Sequence, residues 1–118
     1  MFRINGDNSM EIIRGDTGSF ELTVKEKDEE GAEVPYVLAE GDIVIFTVKK
    51  TTKDAAIVIQ KVGTAASEST VLFTIDPEDT EELKYGRYYY DIEFDRYDGY
   101  VDTIVPPATF TVREEVTF

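Results

Sequence analysis

Read as a string of apolar and polar positions, the chain repeats with a period of two. In "SFELTVK", Phe20, Leu22 and Val24 alternate with Glu21, Thr23 and Lys25. Successive side chains of a strand point to opposite faces, so this run predicts a half-buried strand. "STVLFTID" places Val71, Phe73 and Ile75 on one face. "GRYYYDIEF" places Tyr88, Tyr90, Ile92 and Phe94 on one face, with Tyr89, Asp91 and Glu93 on the other. "GDIVIFTVKK" is apolar on both faces from Ile43 to Phe46 and then reads as a strand leaving the core. "AAIVIQKV" (Ala55 to Val62), "YVDTIV" and "ATFTVRE" complete the set. The valines, threonines and aromatics that fill these runs suit a pleated, half-buried surface.

The punctuation between the runs agrees. Asp98-Gly99 lies between two strand-like segments, and glycine tolerates the positive φ of a tight hairpin turn. "KDEEGAEVP", Lys27 to Pro35, reads as a polar turn. Pro106-Pro107 cannot donate to a ladder and marks a break or an edge before the last strand. One helix of a turn or two is predicted over Asp76–Leu83, with Asp76 as N-cap, Pro77 in the first helical position and Gly86 releasing the chain into the next strand. Residues 1–9 read as either flexible or an extra strand, and Gly63 to Ser69 as a small, polar, flexible loop. The expectation is a single domain over 1–118, all-β, an immunoglobulin-like β-sandwich of about seven or more strands with one short helix. A small β-barrel is the alternative.

Composition narrows the function. The 118 residues fit one domain, and an apolar share of 42% is too high for a disordered tail. Twenty-five acids against 12 bases give a net charge of −13, which repels phosphate and anionic lipid. Neither nucleic acid nor a membrane is expected as a partner. No run approaches the roughly 20 apolar residues of a membrane span, and "MFRINGDNSM" lacks the apolar centre of a signal peptide. Without cysteine there is no disulfide framework. Without histidine there is no Ser-His-Asp triad, Cys-His dyad or His-rich metal site. No glycine-rich phosphate loop occurs. The expectation is a protein that is not an enzyme and needs no cofactor.

Three constellations remain. Asp91, Glu93 and Asp95 alternate along one strand; oxygen ligands so placed could hold a calcium ion, although acids on a strand face ordinarily mark its wet side. Six tyrosines lie between Tyr85 and Tyr100. Tyr88 and Tyr90 read as core, while Tyr89, Tyr97 and Tyr100 are candidate contact residues, for a protein partner or a stacked sugar. Arg14-Gly15-Asp16 spells an adhesion triplet, but Gly15 and Gly18 bracket a strand–turn–strand pattern. The expectation is a structural turn, with Asp16 capping it and the Arg14 stem laid along the domain edge.

The order of several segments is similar to that of one family. "IIRGDTGSFELTV", "GDIVIFTVKK", "FTIDPEDTEELKYGRYYYDIEF" and "DGYVDTIVPPATFTV" together resemble the N-terminal domain of phage baseplate upper proteins, tail-tip components of phages that infect Gram-positive bacteria. The matching positions are Arg14, Gly15, Asp16, Asp42, Gly86, Tyr88, Tyr90, Asp91, Ile92, Asp98, Gly99, Thr103 and Phe110, within a stretch from Met10 to Val112. The resemblance implies a virion structural protein assembled in the bacterial cytoplasm. Its implied partners are other tail and baseplate proteins and further copies of itself. In that family the domain heads a longer protein with a trimerising helical linker, whereas this sequence ends at Phe118.

Overall fold

The structure, a computed structural model, describes residues 1–114; positions 115–118 of the expected domain lie outside the described residues. The fold is all-β. Strands make up 54% with one short helix, and the sheets are curled into a half-barrel. That strand share is about twice the average for globular domains, as a chain dominated by period-two runs requires.

The strands are β1 (Phe2–Ile4), β2 (Met10–Ile13), β3 (Gly18–Thr23), β4 (Lys25–Lys27), β5 (Glu33–Pro35), β6 (Ile43–Lys49), β7 (Ile59–Val62), β8 (Thr64–Ala65), β9 (Thr70–Ile75), β10 (Gly86–Asp95) and β11 (Val101–Arg113); helix α1 (Pro77–Thr80) joins β9 to β10. A six-stranded sheet runs β1-β2-β11-β10-β6-β7, a three-stranded sheet runs β3-β9-β8, and β4 and β5 form a separate ribbon. The β2–β11 pair is parallel and the others are antiparallel.

The curl has a visible cause. Glu93 pairs with Thr103, Ile92 with Val105 and Tyr90 with Ala108. Strand β11 therefore carries one extra residue at Ile104 and another at Pro106-Pro107. Each bulge raises the local twist, which bends the long hairpin around the core. The prolines do not break the chain into two strands as expected, because the bulge absorbs them and β11 continues to Arg113. The edge reading of that stretch does hold: β2 pairs only with Phe110–Arg113, so on that side of Pro106 and Pro107 no ladder bond is lost.

The core lies between the two larger sheets. Val44, Phe46, Val48, Val71, Phe73, Ile75, Tyr88, Tyr90, Ile92 and Phe94 are all buried, as the alternation predicts. Phe46 is its centre, with ring centroids 5.5 Å from Phe20, 5.4 Å from Tyr90, 6.0 Å from Phe73 and 6.1 Å from Phe110.

Three expectations change and one open alternative is decided. Strand β6 does not leave the core after Phe46, since Val48 is as buried as Phe46, and it is Ile43 that stands exposed at 42%. The candidate strand from Ala55 shortens to β7: the ladder ends at the Ile59–Val48 pair near the end of β6, Val58 adds a last N–H bond to the Val48 carbonyl at 2.9 Å, and Ala55–Ile57 lie beyond it. The first residues take the extra-strand alternative, pairing Phe2 with Ile12. The Gly63–Ser69 loop begins with a short strand, β8, that pairs with β9. Gly63 itself is the corner where the chain passes from the six-stranded sheet to the three-stranded one. A Cβ there would meet Val71 Cβ at 2.9 Å and Phe73 Cζ at 3.1 Å, so the corner closes only on glycine.

Candidate functional site

The Arg14-Gly15-Asp16 triplet is a second sheet-to-sheet crossing, from β2 to β3. The Asp16 N–H donates to the Ile13 carbonyl at 3.0 Å, and Gly15 at the third position of that turn has φ +84°, the region that favours glycine. The Gly15 N–H donates to Thr80 Oγ1 at 2.9 Å, and Thr80 is fully buried. Arg14 lies with its guanidinium 4.3 Å from the centroid of the Tyr85 ring and donates to the Leu83 carbonyl at 3.4 Å. The Asp16 side chain does not cap the turn as expected: its carboxylate accepts from the Met1 ammonium and not from the Thr17 or Gly18 N–H. All three triplet residues are half-buried. The triplet is thus bolted to the β9–β10 crossing, and no tip displays it.

The short helix of that crossing explains why Thr80 is placed so firmly. Asp79 reaches back to accept from the Asp76 N–H at 2.7 Å, completing the N-terminal end that Asp76 and Pro77 predict. Lys61 bridges the same acids, at 3.1 Å to Asp76 and 2.8 Å to Asp79. Hydrogen bonding to Asp79 raises the Lys61 ammonium above its usual range.

A second joint lies at the tip of the β10–β11 hairpin. Gly99 has φ +91°, and Arg96 and Tyr100 close the loop through Arg96 N–H to the Tyr100 carbonyl at 2.8 Å. Asp98 holds Arg96 through Nε at 2.9 Å and Nη2 at 2.5 Å. That pairing lowers the Asp98 carboxyl to about 2. Asp42 ties this tip to the preceding loop. It accepts from the Ala39 N–H at 2.8 Å, the Tyr97 N–H at 2.8 Å and the Tyr36 hydroxyl at 2.9 Å. Burial pushes the Asp42 carboxyl up, but these bonds and the Arg96 charge outweigh it and hold it below its ordinary range. Burial and the Asp42 bond push the Tyr36 hydroxyl to about 12.

Four further residues of the quoted segments, Gly86, Tyr88, Tyr90 and Thr103, lie within β10 and β11. Tyr88 donates to the Lys84 carbonyl at 2.8 Å, and Tyr90 donates to the Asn8 carbonyl, where Asn8 takes φ +70°. Burial lifts Tyr90 to about 12. Gly86 opens β10 at φ +138°, and Thr103 pairs with Glu93 on the outer face.

The calcium candidate does not assemble: among the described residues no three His, Cys, Asp or Glu side chains form a metal-holding group. Alternate positions on a strand are about 7 Å apart along the chain, too spread for three short acids to share one ion. Glu93 instead turns toward Asp95. Hydrogen bonding to Asp95, burial and the charges of Asp95 and Asp91 raise the Glu93 carboxyl above its usual range, and Asp95 Oδ1 is buried without a hydrogen-bond partner.

The three contact tyrosines are separated. Tyr89 lines a groove on the outer face of the large sheet. Tyr100 lines another, between the β4–β5 ribbon and the hairpin tip. Tyr97 is 63% exposed on the tip itself. Thr80 and the linking role of Asp42 had no signal in the periodicity, because each acts on a residue distant in sequence. Compared with known proteins, the chain matches no protein-family model and no curated sequence.

Proposed function

We propose that this protein is a non-enzymatic structural component of a phage or prophage particle, a tail or baseplate module that acts by docking to other proteins. The observation that carries the reading is the ordered run of motifs from Arg14 to Phe110. The places those residues occupy support it: Gly15 and Gly99 make turns, Asp42 ties two loops, and Tyr88 and Tyr90 pin backbone carbonyls. Such residues preserve a shape, which is what an assembly module has to offer. The docking surface is the hairpin tip. Tyr97 is exposed on the turn itself, and exposed Val101 and Ile43 flank Asp95 in register at its base. Tyrosine with aliphatic neighbours is the composition of protein interfaces.

The test is proteomic and structural. Mass spectrometry of particles purified from the induced host should recover the chain at a fixed ratio to tail proteins, and antibodies to it should decorate the tail. Purified particles free of the chain would refute the reading. The Tyr97→Ala, Val101→Ala pair should remain folded yet fail to incorporate.

A further inference from the structure

The groove that holds Tyr89 combines an aromatic ring with a polar floor. Its floor is the outer face of β6, β7 and β10, where Asp91, Thr47 and Gln60 stand abreast in register. Glu93 follows one step along β10 on the same face. Tyr89 forms one end, and Pro107, raised by the second bulge of β11, forms a wall. The cavity measures about 270 Å³.

Each feature restricts the occupant. The volume falls just under the lower end of the usual small-molecule range, about 300 Å³, so it suits one ring and not a large cofactor. Tyr89 and Pro107 offer flat apolar surface for a ring face that carries only C–H groups. The floor offers the opposite chemistry. The Asp91 and Glu93 carboxylates accept, while the Gln60 amide and the Thr47 hydroxyl both donate and accept. Gln60 already donates to Thr47 at 3.3 Å, so the pair is oriented before a ligand arrives. Lys49, beside Tyr89 in register, sets one cation against the two carboxylates Asp91 and Glu93, so the groove keeps one net negative charge in a chain of net charge −13, which disfavours a phosphate or a carboxylate.

We propose that this groove binds one neutral pyranose unit of a saccharide, its ring face on Tyr89 and its hydroxyls on Asp91, Glu93 and Gln60. The groove is open at the surface, so the ring can belong to a longer glycan. This site stands apart from the hairpin tip, and the inference is independent of particle assembly: either can fail while the other stands.

The experiment is a titration of isotope-labelled protein, followed by amide chemical shifts. The probes are D-glucose, D-galactose, L-rhamnose and N-acetyl-D-glucosamine, with D-glucuronate as the anionic control. At least one neutral sugar should give saturable shifts at Thr47, Gln60 and Tyr89, with a dissociation constant on the order of 1 mM. Glucuronate should bind at least about tenfold more weakly, a difference of about 1.4 kcal/mol. Tyr89→Ala should weaken binding by about tenfold, and Asp91→Asn should weaken it as well. Tyr89→Phe, which keeps the ring, and Tyr100→Ala, in the other groove, should bind like the parent. The proposal is overturned if none of the neutral sugars saturates, if glucuronate binds as well as they do, or if folded Tyr89→Ala and Asp91→Asn bind unchanged.

Discussion

Replacing Thr80 by valine tests whether the triplet turn is held by one hydrogen bond. Valine keeps the shape of the fully buried Thr80 side chain and removes the acceptor that lies 2.9 Å from the Gly15 N–H. A half-buried amide left without its partner costs about 1–3 kcal/mol. Serine at the same position is the complementary change: it keeps the acceptor and loses one buried methyl, at about 1 kcal/mol. In a domain of this size each kcal/mol moves the melting temperature by roughly 4 °C. Calorimetry should therefore show Thr80→Val lower by roughly 4–12 °C. Melting alone does not separate the two variants, so amide exchange is the deciding assay. The Gly15 amide should exchange faster in Thr80→Val than in either the parent or Thr80→Ser. Gly15→Ala, forced to φ +84°, should cost about 1–2 kcal/mol. Combined with Thr80→Val it should cost less than the sum by about 0.5 kcal/mol or more, because both changes loosen one turn. A Gly15 amide equally protected in all three proteins, with additive melting effects, would refute the reasoning.

Three further outcomes are expected. Asp42→Asn offers one acceptor oxygen where three donors converge, so urea denaturation should show a loss of about 1–3 kcal/mol. The parent's advantage comes from a depressed carboxyl; it is present above the ordinary 3.8 and lost as pH falls through the lower folded value. The gap should therefore close in acid, and a gap that widens there would contradict the assignment. Glu93→Gln should raise the melting temperature at neutral pH, because the raised Glu93 carboxyl gives stability that is full below its ordinary 4.5 and lost as pH rises through the folded value. The gain should shrink toward the acid side, and a variant less stable than the parent at neutral pH would count against the Glu93–Asp95 contact. Gly63→Ala should destabilise by about 1–3 kcal/mol through overpacking against Val71 and Phe73, and a thermal melt matching the parent would show that the corner can relax.

What the sequence made legible follows the range of the forces involved. Alternation is a local property, so the buried faces of β3, β9 and β10 could be read directly. The Asp98-Gly99 hairpin and the Asp76-Pro77 helix start are also local, and both are present. Errors came where pairing partners decided the outcome. Ala55–Ile57 has strand-like composition, but β6 ends before it can be paired. Pro106-Pro107 has breaker composition, but a bulge in a stretch of β11 that β2 does not reach accommodates it. Gly63 resembled a flexible loop because nothing nearby in sequence reveals that Val71 and Phe73 press against it.

The same distinction governs the triplet. Its letters announce a turn, because Gly15 can take a positive φ and Asp16 can serve a turn through its side chain. They do not announce what the turn is for. That answer depends on Thr80, 65 residues away in sequence, and on Tyr85 and Leu83 in the same crossing. Besides the Gly63 corner, the half-barrel passes its chain between sheets at β2–β3 and again at β9–β10. If each crossing were free, their loops would add separate entropy costs and leave the sheets able to slide. The Gly15–Thr80 bond and the Arg14–Tyr85 stack join the two crossings into one joint, so ordering one orders the other. This clasp uses a donor, a residue with a free φ and a long cationic side chain that reaches back over the neighbouring loop. Gly15 supplies the first two and Arg14 the third. An adhesion motif and a structural clasp can thus be written with the same residues, and what separates them is whether the Gly15 amide faces solvent or Thr80.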